Sequence, residues 1–551
     1  MKITLAQLNY TIGDFDGNTG KIINAVHEAK RQSSSLVVFS ELAVCGYPPL
    51  DLLEYKSFIE KAEKSVKIIA KECLGIAAIF GAPVVNTAPL GKNLRNAAIF
   101  CVDGKIQQII YKSLLPTYDV FDEYRYFEPS DSFELVEYKG YKIALTVCED
   151  LWFKQPLLSG FGKNKLYKVD PIERLAAQNP DFIINIAASP FAFNHDDIKR
   201  EILFQNASKY KMPVFYVNQV GAQTEIIFDG GSRVVNSGGF LLNRMPFFEE
   251  SVETFNLEEV LVSKAEENAL PAADRITKIH DAIVLGIRDY CSKMNFKKAV
   301  LGLSGGIDSA VTLVLAERAL GHENVRVLLM PSQYSSDHSL KDAKDLAENL
   351  GIQYDIVPIK DSFNQISSDL AAIFKDLPPG LTEENIQARI RGVILMAISN
   401  KFGNILLNTS NKSEAAVGYG TLYGDMAGGI SVLGDVYKTD VFRLARFINK
   451  DKEIIPENSI IKPPSAELRP NQKDSDSLPD YDLLDKILYS YIELKLSEQE
   501  IIDQGLPAEI VAKTIKMVNA NEYKRFQTPP ILRVSSKAFG FGRRMPLVAK
   551  Y

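Results

Sequence analysis

The segment Lys298-Ala-Val-Leu-Gly-Leu-Ser304-Gly-Gly-Ile-Asp308-Ser309-Ala310 constrains the fold of this chain more than any other. An apolar run enters Ser-Gly-Gly-Ile-Asp-Ser, and a helix-compatible stretch follows over 310–320. That order predicts strand, tight turn and helix start. Glycines let the backbone come close to an anion, and the turn's N–H groups point at it alongside the helix dipole. The segment lacks Gly-x-x-x-x-Gly-Lys-Ser/Thr, which argues against a Walker-type phosphate loop. A Gly-Gly turn also occurs with no ligand, so the strand–turn–helix context carries the ligand reading. Around it, strands predicted at 299–303, 325–330, 354–359 and 405–408 alternate with helices, one of them over 276–293. An α/β unit with a doubly wound, Rossmann-like parallel sheet is expected, its ligand beyond the C-terminal strand ends.

The first half has a different rhythm. Short β-rich runs at 3–8, 36–39, 77–84, 97–102, 143–147, 182–187 and 214–217 are separated in places by helix-like stretches at 20–31 and 57–71. That alternation suits an α/β layered domain. Charged, Ala-rich sequence then marks a linker, 257–275, between domains at 1–256 and 276–551. A chain of 551 residues has room for two cores. Residues 462–482 are rich in Pro, Ser and Asp, a length of loop found in active-site covers and in disordered spacers alike. A net charge of −6 argues against a general nucleic-acid or membrane-surface binder, although a local basic groove can still hold a phosphate. No apolar run reaches membrane-spanning length and the N-terminus lacks a signal-peptide core, so a cytoplasmic enzyme is expected. The five cysteines, Cys45, Cys73, Cys101, Cys148 and Cys291, have neither zinc-ligand nor redox spacing. They read as mostly structural thiols in a reducing compartment.

Three strand ends in the first half carry reactive groups. Val38-Phe-Ser-Glu41 supplies a carboxylate, Tyr111-Lys112 an amine, and Thr146-Val-Cys148-Glu149-Asp150 a thiol. A base, a cation and a nucleophile are what thiol-dependent amide hydrolysis needs. Singly, each has a bland explanation: a structural cysteine, a solvated charge, an ion pair. Together and in this order they resemble the Glu–Lys–Cys triad of the nitrilase, or carbon–nitrogen hydrolase, family over about 1–255. The resemblance implies a four-layer α-β-β-α sandwich. It makes Glu41 the general base, Lys112 the oxyanion-supporting lysine and Cys148 the nucleophile, with Glu123 helping to position them. Within that family this half is most similar to the glutaminase domain of glutamine-dependent NAD synthetases, which puts Tyr118, Ser189 and His195 at glutamine-recognition positions. His195 stands where that pattern has a lysine, and Ala222 and Thr224 also depart from it. A neutral imidazole can hydrogen-bond an amide or a carboxylate but supplies no full charge.

The second half resembles the synthetase domain of the same family, and its Ser-Gly-Gly turn resembles the pyrophosphate loop of the ATP pyrophosphatases. By that resemblance Gly302, Leu303, Ser304, Gly305, Gly306, Ile307, Asp308, Ser309 and Thr409 contact ATP. Asp308 and Glu414 bind Mg²⁺, and Asn385, Glu414 and Lys524 meet deamido-NAD. Read alone, Asp308 is a turn-stabilising aspartate and the cluster from Thr409 to Glu414 a helix cap. Arg389 and Arg391 would be surface salt-bridge partners, and the basic tail around Lys524 and Arg543 solvated. The match extends through the loop at 463–479, which favours a functional cover. The implied reaction releases ammonia from glutamine at Cys148. It activates the nicotinate carboxylate of deamido-NAD with ATP, and ammonia then displaces AMP from the acyl-adenylate. The implied partners are glutamine, ATP, deamido-NAD and a second copy of the chain in a homodimer or larger homo-oligomer, with no nucleic acid and no membrane. The nearest alternative is another ATP-pyrophosphatase amidotransferase. A scaffold of inactive enzyme domains is opposed by the intact Glu41, Lys112, Cys148 and 304–309 set. A tRNA-modifying enzyme is opposed by the acidic charge and the lack of paired cysteines.

Overall fold

The computed structural model describes residues 1–154, 166–266, 274–375, 377–470 and 472–550. The chain divides into two compact units, Met1–Ala273 and Asp274–Tyr551.

Two six-stranded sheets build the first unit. One runs in the order Ser251–Asn256, Lys2–Gln7, Leu36–Val38, Ala77–Val85, Leu94–Val102, Lys105–Tyr111. The other runs Leu241–Arg244, Arg233–Val235, Val214–Asn218, Phe182–Ala187, Tyr141–Val147, Val136–Tyr138. Their apolar sides share one core, in which Ile3, Leu5, Ile79 and Phe100 meet Ile143, Leu145, Ile184 and Phe215. Helices Phe15–Arg31 and Lys56–Glu72 pack on the first sheet, and Pro171–Ala176 and His195–Tyr210 on the second. The result is the expected α-β-β-α sandwich. Helix Lys56–Glu72 buries Phe58, Ile59, Ala62, Val66 and Ile69, the three- and four-residue spacing of a single apolar stripe. Strand Lys105–Tyr111 has little apolar alternation. It forms because Asp103-Gly104, both at positive φ (47° and 80°), make the two-residue turn that folds it back on Leu94–Val102.

The stretch assigned to a linker, 257–275, contributes structure at both ends. Helix Leu257–Val262 is capped by the Asn256 side chain, which accepts from Glu258 N at 3.2 Å, and it buries Leu257 and Val260 in the first unit's core. Helix Arg275–Lys293 already belongs to the second unit. Residues 267–273, including Pro271, lie outside the described residues.

In the second unit all five strands are parallel, in the order Gln353–Ile356, Val325–Leu329, Ala299–Gly302, Ile405–Asn408, Ile430–Ser431. Val300, Leu328 and Leu406 pack on Ile386 and Ile390 of helix Leu381–Phe402 and on Phe363 of helix Lys360–Phe374. Leu301, Val327 and Leu407 point to the other face and are equally buried, which is why these strands read as unbroken apolar runs. The third predicted strand, 354–359, is regular only to Ile356, although Val357 N and Ile359 N still donate to Leu329 O (2.8 Å) and Pro331 O (3.0 Å) beyond it. Strand order reverses between Ala299–Gly302 and Ile405–Asn408. Loops leaving neighbouring strands in opposite directions open a crevice at that point. Among the described residues no helix is long and apolar enough to cross a membrane.

Candidate active sites

Glu41 and Cys148 follow buried strand ends, Lys112 follows the half-exposed strand Lys105–Tyr111, and Glu123 opens the short helix Glu123–Tyr126. Lys112 Nζ donates to Glu41 Oε1 at 2.7 Å and to Glu123 Oε1 at 2.9 Å, and none of the three side chains is more than 5% exposed. Asn96 Nδ2 donates to Glu41 Oε1 (2.7 Å), Tyr47 OH to Glu123 Oε1 (2.8 Å), and Ala188 N to Glu41 Oε2 (3.1 Å). Gly81 permits this assembly. A Cβ there would lie 2.1 Å from Leu42 N, so the backbone carrying Glu41 could not lie against strand Ala77–Val85.

Burial opposes the charge on Lys112, but Glu123 and Glu41 outweigh it and hold the ammonium well above its usual pKa. Burial raises Glu123, with Lys112 opposing. The Cys148 thiol is pushed well above its usual value by burial and then by Glu41, while Lys112 pulls it down. The resting sulfur is therefore a thiol, and a thiolate requires a base beside it. Cys148 has φ 43°, in the left-handed region, which turns the backbone sharply after strand Tyr141–Val147.

The three residues expected to recognise glutamine are spread around this centre. Tyr118 OH donates to both carboxylate oxygens of Glu149 at 3.0 Å. Ser189 is buried, with its N–H on Asn218 Oδ1 at 2.8 Å. His195 opens helix His195–Tyr210, with Nδ1 3.1 Å from Pro190 O and its ring 5.5 Å from that of Trp152. The sequence reading passed over Asn96, Tyr47 and Glu149. Asn96, between Arg95 and Ala97 in strand Leu94–Val102, is set apart only by its contact with Glu41 across the sheet. Glu149, next to the thiol, takes hydroxyls from Tyr118 and Tyr167, and burial raises its carboxyl to about 8.

The second unit's crevice holds a cavity of about 330 Å³. It is lined by Gly302, Leu303, Ser304, Gly306, Ile307, Asp308 and Ser309 from the turn, by Thr409 just after the neighbouring strand and by Glu414 on the short helix Lys412–Val417. Gly305 has φ 79°, and a Cβ there would lie 2.1 Å from Ser339 O, so the bend requires glycine on two counts. Helix Ile307–Leu320 has Gly306 at its N-cap and no side chain capping it, so its first N–H groups lack the usual side-chain acceptor. Lys438 Nζ lies 2.5 Å from Asp308 Oδ2 and 3.2 Å from Glu414 Oε1. Asn411 ties the two acidic segments together: its Nδ2 donates to Asp308 Oδ1 (2.9 Å) and its Oδ1 accepts from Glu414 N (3.0 Å). Burial raises Glu414 to about 7, with Lys438 opposing. Arg391 lines the same cavity on a helix where surface pairing was the bland expectation. Asn385 and Lys524 do not line it. Asn385 Oδ1 accepts from Thr421 Oγ1 (2.8 Å), and Lys524 Nζ donates to Gly418 O (2.7 Å) and Gly420 O (2.9 Å).

Comparison with known proteins agrees with this division. The carbon-nitrogen hydrolase family matches residues 2–164, and the NAD synthase family matches residues 279–528. A glutamine-dependent NAD(+) synthetase from Synechocystis sp. is 45% identical over 100% of this chain and 99% of its own length. One from Thermotoga maritima is 40% identical over 100% and 99%. The structure of glutamine-dependent NAD+ synthetase from Acinetobacter baumannii in complex with adenosine diphosphate is 37% identical, with a TM-score of 0.77 over 99% of this chain and 98% of that one.

Proposed function

The chain belongs to the glutamine-dependent NAD(+) synthetase family, and we propose that Glu41, Lys112 and Cys148 free the ammonia that the Ser304–Gly305–Gly306 turn's ATP-fed site consumes. The family's activity is glutamine-dependent NAD+ synthesis from deamido-NAD and ATP. One observation supports the division of roles: a buried ammonium clasped by two carboxylates, whose charges bear on a thiol that burial keeps protonated.

Glu41 takes the Cys148 proton, and the sulfur attacks the side-chain carbonyl of glutamine. Lys112 and backbone N–H groups hold the oxyanion. Glu41 returns the proton to the leaving ammonia, then takes one from the water that frees glutamate from the thioester. Glu123 holds Lys112 from its other side. Tyr118, Ser189 and His195 line the glutamine pocket in this reading. In the second unit the nicotinate carboxylate attacks the α-phosphorus of ATP and pyrophosphate leaves. Ammonia then attacks the acyl-adenylate carbonyl and expels AMP. The N–H groups opening helix Ile307–Leu320, with Lys438 and Thr409, face the phosphates; Glu414 in the cavity, and Asn385 and Lys524 outside its lining, meet deamido-NAD in this reading.

Asp308 and Glu414 would hold Mg²⁺. Both line one cavity and converge on one ammonium, a place already suited to positive charge. Among the described residues no three acidic, His or Cys side chains form a metal cluster, so phosphate and water oxygens would complete the shell. The bound ion would neutralise phosphate charge. Helix Lys360–Phe374 buries only Phe363, and helix Leu381–Phe402 exposes Val393 and Met396. Those apolar faces support a homodimer, checked by a light-scattering mass of twice 61.3 kDa. The proposed setting is the cytoplasm.

Cys148→Ala tests the assignment. Glutamine-driven NAD+ synthesis is expected to vanish while ammonium-driven synthesis persists, and loss of both would refute it.

A further inference from the structure

Asp150 lies two residues beyond Cys148, is 2% exposed, and has no part in the chemistry above. Its carboxylate takes three main-chain donors. Oδ1 accepts from Ser113 N and Leu114 N, both at 2.9 Å, and Oδ2 accepts from Val147 N at 3.1 Å. The last bond alone would be an ordinary cap on the short turn Cys148–Leu151. The first two serve no purpose in that turn. Ser113 and Leu114 directly follow Lys112, which leaves the last strand of one sheet, while Val147 ends a strand of the other. A single carboxylate thus clasps the backbone just after the lysine and the backbone just before the nucleophile. Burial raises its carboxyl to about 6, with the three N–H groups and Lys112 opposing, so it is ionised at pH 7. Burying a charge against neutral donors is a costly way to fill space, so packing alone gives no reason for an aspartate here.

We propose that Asp150 is a positioning residue for glutamine hydrolysis, fixing the separation of Lys112 from Cys148 by tying both strand ends to one carboxylate. The proposal rests on the roles given above to Lys112 and Cys148. Asp150→Asn is the discriminating change. Its Oδ1 can still accept from Ser113 N and Leu114 N, but its Nδ2 then faces Val147 N, two donors opposed. The nucleophile's end is released while the lysine's end stays held. Misplacement of reacting groups by about 1 Å costs on the order of a hundredfold in rate.

The experiment uses the full chain with Asp150→Asn, Asp150→Glu and Cys148→Ala beside the wild type. Glutamine-driven and ammonium-driven NAD+ synthesis are compared, Trp152 emission reports folding, and iodoacetamide labelling of Cys148 is followed against pH by peptide mapping. Asp150→Asn is expected to keep its Trp152 emission and its ammonium-driven rate, and to lose about tenfold to a hundredfold in glutamine-driven kcat, with a smaller change in KM. The labelling midpoint should move to higher pH, because the thiolate loses its nearby ammonium; a merely structural role would leave it in place. Asp150→Glu, with the charge kept and the clasp lengthened, should fall between, and it carries the test if the asparagine variant does not fold. A folded variant with wild-type glutamine turnover and an unmoved labelling profile overturns the proposal. Retention of glutamine-driven synthesis by Cys148→Ala would instead remove the nucleophile assignment, and the proposal with it.

Discussion

Replacing Lys112 with methionine strikes the point on which the first site balances. Lys112 Nζ lies 2.7 Å from Glu41 and 2.8 Å from Glu123, with all three side chains out of solvent. Without the ammonium, two buried carboxylates face each other across roughly 5 Å, a repulsion of about 3 kcal/mol at an effective dielectric near 20. That exceeds two pK units, so one carboxyl must hold a proton near neutrality. Removing one member of a buried ion pair costs about 3–5 kcal/mol of stability. The sign with pH follows from linkage. The folded variant keeps a proton that the unfolded chain releases at ordinary carboxylate pH, so its stability is greatest at low pH and falls as pH rises through the raised folded value. The deficit against wild type should therefore be larger at pH 8 than at pH 5.5. The chain's single tryptophan, Trp152, sits in this unit at 8% exposure. Its emission during urea unfolding reads this unit without treating both as one transition. Catalytically, loss of the oxyanion cation should lower glutamine-driven kcat by about 10²–10³. A deficit that widens towards acid pH, or glutamine turnover within twofold of wild type, would refute this account of the site.

Lys438→Met should act on the other half. Asp308 and Glu414 lose the ammonium they share at 2.5 and 3.2 Å, so NAD+ formation from either nitrogen source should fall at least about tenfold. Glutamate release from glutamine, assayed alone, should continue. Glu149→Gln addresses the carboxyl that burial raises to about 8. In the wild type, stability from that raised value is present at low pH and lost as pH climbs through about 8. The glutamine variant lacks that loss. Its first unit should gain on wild type by up to about 1.4 kcal/mol per pH unit between the ordinary carboxylate range and about 8, and level off above that, measured by Trp152-monitored unfolding at pH 5.5, 7 and 9.5.

Much of the fold was legible because its strands are buried on both faces. Ile183, Ile184 and Ile186, or Val300 and Leu301, leave few readings other than a core strand. Legibility failed where pairing, not composition, makes the strand. Ser251–Asn256 is half-exposed throughout and exists because it lies antiparallel to Lys2–Gln7, about 250 residues away in sequence. Leu257–Val262 looked like linker because its charges face solvent, while Leu257 and Val260, with Leu261 partly, turn inward. Glu41, Lys112 and Cys148 could be marked because each stands at or just past the end of an apolar run. Asn96 and Tyr47 could not be ranked, since what matters is their contact with Glu41 and Glu123 across the sheet. The separation of Asn385 and Lys524 from the cavity lining is a fact of helix placement on which local sequence is silent.

The two sites share a charge motif and differ in its access to water. Lys112 lies between Glu41 and Glu123, and Lys438 between Asp308 and Glu414, one cation and two carboxylates in each case. Around Lys112 the carboxylates are 0% and 5% exposed, whereas around Lys438 they are 19% and 17% exposed. A sealed triad cannot exchange partners, so its charges stay fixed while a proton moves between sulfur, carboxylate and leaving group. That is what repeated acid–base turnover requires. An open triad can trade its internal pairing for an incoming polyanion and its counter-ion, since water screens the intermediate arrangements. In the proposed reading Lys438 would pair with phosphate, and Asp308 and Glu414 would hold the metal, which would neutralise phosphate charge. In the proposed reading, the exposure of the carboxylates, more than the identity of the residues, thus separates the site that would relay protons from the one that would bind a nucleotide.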